Sequence, residues 1–266
     1  MSQNPTQDDD HILVERRGPV AIVTLNRPDR LNALTPQMGP QYARTLVDLD
    51  QDPNVRAIVV TGSGRGFCSG ADLTTLSGST DDLQSYVRGQ GLDTIPLVAL
   101  TLGTPVATAI NGPCAGIGFV LAVSSDARFV HPEATMSTTF VRLGLVAEYG
   151  IAWLLPRLIG LPAATDLLLT GRTITGVEAG TIGLAKVHDD PLEAALEWTG
   201  NIAHSSSPSS VATMKRQLLD ADAQSLDVAI STSLSEMSRA FELPDLTEAL
   251  TARAQLREPR FPPASG

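Results

Sequence analysis

Apolar residues in this chain fall into short unbroken runs separated by turns rich in glycine and proline. "VAIVTLNRP" (20–28) is rich in β-branched residues and stops at Asn-Arg-Pro, which predicts a strand. "VRAIVVTG" (55–62) is apolar throughout and ends at glycine, the pattern of a parallel strand covered on both faces. "TPVATAING" (104–112) and "ARFVHP" (127–132) repeat that pattern. Between the first two runs a helix is predicted over 36–50, with Thr35 as N-cap and Pro36 at its first position. Recurring strand, glycine-rich turn and helix imply an α/β core of similar crossover units, although no strict sequence repeat is visible. After about residue 195 the pattern changes. "SSSPSS" (205–210) is a loop and cap signal, and 211–240 reads as mostly helical, with Leu218, Leu219, Leu226, Val228, Ile230, Leu234 and Met237 as its apolar positions. Pro244 breaks that stretch, 245–257 predicts one more helix, and "REPRFPPASG" is irregular. The expected organisation is a disordered acidic tail over 1–10, a core over 11–195, and a helical region over 196–266 that packs on a partner subunit.

The composition narrows the function classes. The chain has 266 residues, a net charge of −10 and 4% aromatic residues. Nucleic acid and anionic membrane are poor partners for such a chain, since both need clustered Lys and Arg, and base stacking needs aromatics. The first ten residues, MSQNPTQDDD, have neither the basic nor the apolar segment of a secretory signal. Cys68 and Cys114 are expected to be buried reduced thiols in a cytoplasmic protein. No residue over 94–125 is charged or His, but repeated Pro and Gly leave no run of about 20 apolar residues for a spanning helix. A buried strand followed by a buried helix is the expectation there.

Two turns follow predicted strands. "TGSGRGFCSGAD" (61–72) comes close to a dinucleotide fingerprint, but its final spacing is wrong and no helix pattern opens at Gly66. It has no Gly-Lys-Ser/Thr, and Ser69 is not in a Gly-x-Ser-x-Gly elbow. "INGPCAGIGFVLAV" (110–123) opens an apolar helix with small residues, which allow close backbone approach and leave N–H groups free at the helix start. If each turn aims one N–H at the same point, the pair is an oxyanion hole; tight helix packing explains the same residues equally well. The four histidines, His11, His131, His188 and His204, have no metal-ligand spacing. "RPDR" (27–30) and Arg253, Arg257 and Arg260 read as solvated surface or as phosphate contacts.

Glu148, in "GLVAEYG" (144–150), is the only carboxylate between Glu133 and Asp166, and its neighbours are apolar. A buried carboxylate costs several kcal/mol unless it is paired or its pKa moves. A salt bridge with Arg142 or Arg157 would account for it; so would proton-transfer chemistry.

"GRGFCSGADL" (64–73) and "INGPCAGIGFVLAVSSDARF" (110–129) resemble the crotonase superfamily of enoyl-CoA hydratases and isomerases. So do "LNRPDRLNAL" (25–34), "LGLVAEYGIAWLLPRLIG" (143–160), "GRTITGVEAGTIGLAKV" (171–187) and "DLTEALTARAQLREPRF" (245–261), in the right order over roughly 12–262. The resemblance implies an α/β spiral of β-β-α units, a C-terminal helical oligomerisation region, and homotrimers or hexamers. It implies an acyl-CoA thioester substrate, with coenzyme A as part of that substrate and no separate cofactor or metal. By position, the two enolate-binding N–H groups belong to Ala71 and Ile117, the latter where the family usually has glycine. Arg30, Leu31, Ser69, Gly70, Asp72 and Leu73 fall at coenzyme A contacts, and Pro113, Gly116, Phe140 and Tyr149 line the substrate. The two hydratase glutamates are replaced by Val120 and Phe140. Glu148 falls where some Δ3,Δ2-enoyl-CoA isomerases carry their single acid, which makes that isomerisation the expected reaction. The alternatives are a hydratase using Glu148 with another acid, and a non-catalytic acyl-CoA-binding relative. A serine peptidase of similar architecture would need a Ser/His/Asp set that the chain lacks.

Overall fold

The structure, a computed structural model, describes residues 11–72 and 96–263. The expected tail over 1–10 and the polar stretch after Asp72 lie outside the described residues.

The chain opens with a hairpin. β1 (Ile12–Arg17) pairs antiparallel with β2 (Val20–Leu25), and every later neighbour in the main sheet is parallel. β3 (Ala57–Gly62), β4 (Val106–Ile110), β6 (Ala127–Val130) and β9 (Lys186–Val187) complete the order β1-β2-β3-β4-β6-β9. A smaller sheet is built from β5 (Cys114–Ala115), β7 (Thr135–Ser137) and β8 (Ile174–Thr175). Successive passes of the chain give one strand to each sheet and then a helix. β4 and β5 lead into α2 (Ile117–Val123), and β6 and β7 lead into α3 (Ile151–Thr170). That repeat is the expected spiral.

Both faces of the main sheet are covered, which is why its strands read as continuous apolar runs. Ala57, Val59, Ala107, Ala109 and Phe129 point to one face, where α5 (Pro191–Ser205) lies with Ala194, Ala195 and Ala203. Alanine on both surfaces lets the helix sit close. Ile58, Val60 and Ile110 point the other way, into the larger core with Leu46 of α1 (Met38–Gln51), Phe119 of α2 and Leu155 of α3. The expected boundary at 195/196 falls inside α5; the chain turns away only at Ser206 and Ser207.

The first predicted strand does stop where Asn-Arg-Pro begins, at Leu25, with Asn26 N–H still donating to His11 O at 2.7 Å. Several expected elements shift. α1 starts at Met38, two residues late, although the Thr35 hydroxyl does accept the Met38 N–H at 3.2 Å. The helix expected over 211–240 is two, α6 (Pro208–Asp220) and α7 (Leu226–Glu242), separated by a 3-10 turn over Ala221–Ala223. α8 (Pro244–Ala254) follows, and α4 is a short helix over Gly176–Thr181. α3 is apolar and long enough to cross a membrane by length and composition. It is nonetheless bent at Gly160 (φ 76°, ψ 157°), so neither half approaches the roughly 20 residues a span needs.

A buried polar knot ties the turns at the C-terminal ends of β2 and β3. Asn32 is fully buried and sits at φ 57°, a left-handed conformation that Asn tolerates better than most residues. Its Oδ1 accepts the Arg27 N–H at 2.8 Å, and its Nδ2 donates to Ser63 O at 3.0 Å and Gly66 O at 2.8 Å. Asn111, after β4, donates through Nδ2 to Gly62 O at 3.0 Å and Gly64 O at 2.9 Å. One turn is thus held by side chains from two others. Asn32 Oδ1 also accepts the Ser63 hydroxyl at 3.3 Å, so Asn32→Ala removes four hydrogen bonds and strands buried partners, and urea unfolding should show a loss of about 2–4 kcal/mol.

Candidate active site

After β3 the chain turns through Gly62–Gly66 and then runs beside the segment that leaves β4. Phe67 and Cys68 N–H both donate to Pro113 O at 3.1 Å, and Ala115 N–H donates to Cys68 O at 2.9 Å. Cys68 and Cys114 are therefore partners in a parallel bridge. Three residues beyond each stand Ala71 and Ile117. Between them the two backbones touch: a Cβ built on Gly116 would lie 3.8 Å from Gly70 Cα. Gly116 has φ 53° and ψ −123°, which side chains disfavour, and this turns the chain into α2. Two residues on, a Cβ at Gly118 would lie 2.2 Å from Cys68 O, so only glycine lets α2 rest against that strand. Both thiols are free and buried; burial pushes Cys68 up to about 12 and Cys114 well above its usual value, which keeps them protonated and inert.

This packing leaves two amide donors unspent. Leu34 N–H donates to Gly70 O at 2.8 Å, and Asp72 N–H donates to Leu34 O at 2.9 Å. In a trans peptide the N–H points opposite to the carbonyl, so the Gly70–Ala71 unit turns its N–H away from Leu34. Ile117 N–H is one of the open donors at the first turn of α2. Among the described residues, neither N–H donates to any group. The isoleucine found in place of the usual glycine does not fill the turn: its side chain is buried in the core, and Gly116 supplies the special backbone.

The segment carrying Glu148 starts beside the Gly116 turn. After β7, Thr138 Oγ1 donates to Leu167 O at 2.9 Å. Thr139 Oγ1 lies 3.4 Å from where a Gly116 Cβ would stand. A 3-10 turn (Phe140–Leu143) follows, closed by Leu145 N–H on Phe140 O at 2.9 Å. Glu148 O then accepts Ile151 N–H at 3.0 Å, at the entrance to α3, and α3 packs against α2. The Glu148 side chain is half-buried, and burial raises its pKa above the usual carboxylate value. Neither arginine offered as a salt-bridge partner reaches it. Arg157 pairs with Asp222 at 2.8 Å and lies over the Trp153 ring, while Arg142 donates to Thr170 O at 3.1 Å. No ion pair or hydrogen bond of the Glu148 carboxylate is found among the described residues. Val120 and Phe140 are buried in the core, where neither can move a proton.

The remaining expected site residues form a second group. Ser69 N–H donates to Leu31 O at 2.9 Å and Ser69 Oγ to Arg30 O at 3.2 Å, so Arg30, Leu31 and Ser69 adjoin. Arg30 and Arg65 are both exposed, on turns that pack together where Gly64 meets Pro28. The Asp72 carboxylate pairs with Arg27 at 3.0 Å. Pro113 contributes its carbonyl to the bridge described above, and Tyr149, at φ 51°, is half-buried against the core beside Glu148. Leu73 lies outside the described residues. Arg27, Asn32 and Asn111 organise these turns without being foreseen; Asn32 follows two residues after the Arg-Pro-Asp-Arg stretch, which was the one available signal. A cavity of about 580 Å³, lined in part by Arg56, Pro105 and Arg216, opens at the opposite, N-terminal ends of β3 and β4. In parallel sheets ligands bind at the C-terminal ends, where the two turns lie.

The enoyl-CoA hydratase/isomerase family profile matches residues 15–262. A protein of Mycobacterium bovis named probable enoyl-CoA hydratase echA12 is 34% identical, over 94% of this chain and 92% of its own. A peroxisomal Delta(3,5)-Delta(2,4)-dienoyl-CoA isomerase of Arabidopsis thaliana is 32% identical, over 89% of this chain and 90% of its own. The crystal structure of enoyl-CoA hydratase from Bacillus anthracis superimposes with a TM-score of 0.89 at 28% identity, covering 95% of this chain and 99% of that one.

The raised pKa of Glu148 carries a sign. Below about pH 4 the carboxyl is protonated in the folded and unfolded chain alike and costs nothing. As the pH rises through the folded-state pKa, the folded protein loses stability relative to the unfolded one. Glu148→Gln should therefore unfold at a higher denaturant concentration than the parent at pH 8, and the gap should close at pH 4. A gap of the opposite sign at pH 8 would mean that the carboxylate is stabilised by a partner.

Proposed function

We infer that this chain, which belongs to the enoyl-CoA hydratase/isomerase family, is a Δ3,Δ2-enoyl-CoA isomerase working through one carboxyl group. The observation that carries the reading is Glu148: a half-buried carboxylate without an ion pair among the described residues, while the hydratase positions hold Val120 and Phe140.

The thioester carbonyl of a 3-enoyl-CoA sits between Ala71 N–H and Ile117 N–H. The Glu148 carboxylate takes a proton from C2, and the electron pair moves onto the thioester oxygen. Two amides held in place by the fold stabilise that charge without reorganising, and one such donor is typically worth about 2.7–4 kcal/mol. The enolate collapses with its double bond moved to C2–C3, and the Glu148 carboxyl returns the proton at C4. One group suffices because the proton leaves and rejoins the same substrate. An apolar setting suits this work, since a base with a raised pKa is both free to accept and able to give back. Arg30, with the neighbouring Arg65, faces the phosphates of coenzyme A, and Leu31, Ser69, Gly70, Asp72 and Leu73 border its adenine end.

Oligomerisation belongs to the same reading. α6 and α7 bury none of their residues in the single chain, and Met214, Leu218, Ile230, Leu234, Met237 and Phe241 are exposed. Apolar surface of that extent calls for a cover, which further copies in a trimer or hexamer supply. Lys215 keeps α6 on its own spiral, pairing with Asp126 at 2.8 Å and donating to Ala99 O and Thr104 O.

A second reading, enoyl-CoA hydration, is favoured by the names of the Mycobacterium bovis and Bacillus anthracis relatives. It predicts loss of the conjugated enoyl absorbance when the protein is mixed with crotonyl-CoA, whereas isomerisation predicts that absorbance appearing from 3-enoyl-CoA. Glu148→Gln should keep acyl-CoA affinity within about threefold and lose about 10³–10⁴-fold in kcat, the upper part of the usual range for a general base, because no second acid remains. In the parent, kcat should fall on the acid side with a midpoint above the ordinary glutamate value, the direction set by burial. Turnover undiminished in Glu148→Gln excludes the mechanism.

A further inference from the structure

The peptide that presents Ala71 N–H is aimed by its other side. Its carbonyl, on Gly70, is held by Leu34 N–H at 2.8 Å, and the next amide, on Asp72, is held by Leu34 O at 2.9 Å. Leu34 touches Ala71 only through this isolated bridge, with no longer strand on either side to enforce it. What closes the bridge is one nitrogen. Arg27 Nη1 donates to Ala33 O at 2.7 Å and stands 3.0 Å from Asp72 Oδ2. It therefore grips the residue before Leu34 on one strand and the residue after Ala71 on the other. Both ends of the pair are largely shielded, with side-chain exposures of 18% and 12%. The arginine is itself anchored, its N–H on Asn32 Oδ1 at 2.8 Å and the Asn32 N–H on its carbonyl at 2.9 Å.

We propose that Arg27 is a positioning residue for catalysis: paired with Asp72, it clamps the Leu34–Ala71 bridge and so fixes the direction of the Ala71 N–H toward the developing oxyanion. The proposal rests on the reading that the thioester carbonyl binds between Ala71 and Ile117. A guanidinium is needed because it can serve the Ala33 carbonyl and the Asp72 carboxylate together in a fixed plane; a lysine ammonium would hold one geometry less firmly. A displacement of about 1 Å in a group of this kind costs on the order of 10²-fold in rate. An interaction felt only in the transition state lowers kcat and kcat/KM together and leaves KM alone.

Arg27→Met should lower kcat by roughly 10- to 100-fold with KM for the acyl-CoA changed less than threefold. Arg27→Lys should recover part of that loss. Asp72→Asn, which opens the clamp from its other end, should lower kcat to a similar extent, whatever it does to KM through the coenzyme A end that Asp72 borders, and the double variant should add little to the kcat loss of either single one. The infrared stretch of the thioester carbonyl of bound butyryl-CoA gives a readout independent of the reaction catalysed. It should lie below its solution frequency in the parent and move back toward that frequency in Arg27→Met and Asp72→Asn. An unshifted carbonyl in the parent would defeat the oxyanion reading itself. A shifted carbonyl that persists in both variants, or a raised KM with kcat intact, would overturn the role of Arg27 and leave that reading standing.

Discussion

Everything at this site depends on a short parallel alignment between two strands that follow neighbouring turns. The Cys68–Cys114 bridge sets the register, and Gly118 lets α2 come close enough for it to form. The Gly70 carbonyl is taken by Leu34 and the Gly116 N–H by Ser137, while Ala71 N–H and Ile117 N–H donate to no group among the described residues. The proposed oxyanion hole is thus a matter of hydrogen-bond accounting: most buried amides are satisfied within the fold, and these two N–H groups are left for a ligand.

The carboxylate follows a different logic. Glu148 lies in a connection rather than in a strand or helix, between a 3-10 turn and the start of α3. It is held from both sides by the Thr138–Leu167 hydrogen bond, the contact of Thr139 with the Gly116 turn, and the packing of α3 on α2. A group on a connection can face a ligand, and rigid elements on either side keep it there. Its half-burial removes water without supplying a counter-charge, and desolvation is the cause of its raised pKa.

Much of this was legible in the sequence, for physical reasons. Strands covered on both faces announce themselves as unbroken apolar runs, and 55–62 and 104–112 were found within two residues of β3 and β4 at either end. The isolated Glu148 stood out because a lone acid in an apolar stretch is costly. Other features were invisible because they depend on distant residues. The clamp of Arg27 on Asp72 spans a turn, a helix and a strand, and nothing in "RPDR" says which guanidinium folds inward. Only the fold reveals that Asn32 is fully buried. The split of the long C-terminal helix at Ala221 was missed because apolar periodicity carries across a 3-10 turn. Ile117 stands where the family usually has glycine, and only the fold reveals that its side chain is buried in the core.

The most direct measurement is a crystal structure of the full chain with an unreactive acyl-CoA bound. The account predicts the thioester oxygen about 3 Å from both Ala71 N and Ile117 N, with the Glu148 carboxyl across from it over the acyl carbons. A thioester held elsewhere, or a Glu148 side chain turned from the acyl group toward a cation, would contradict it.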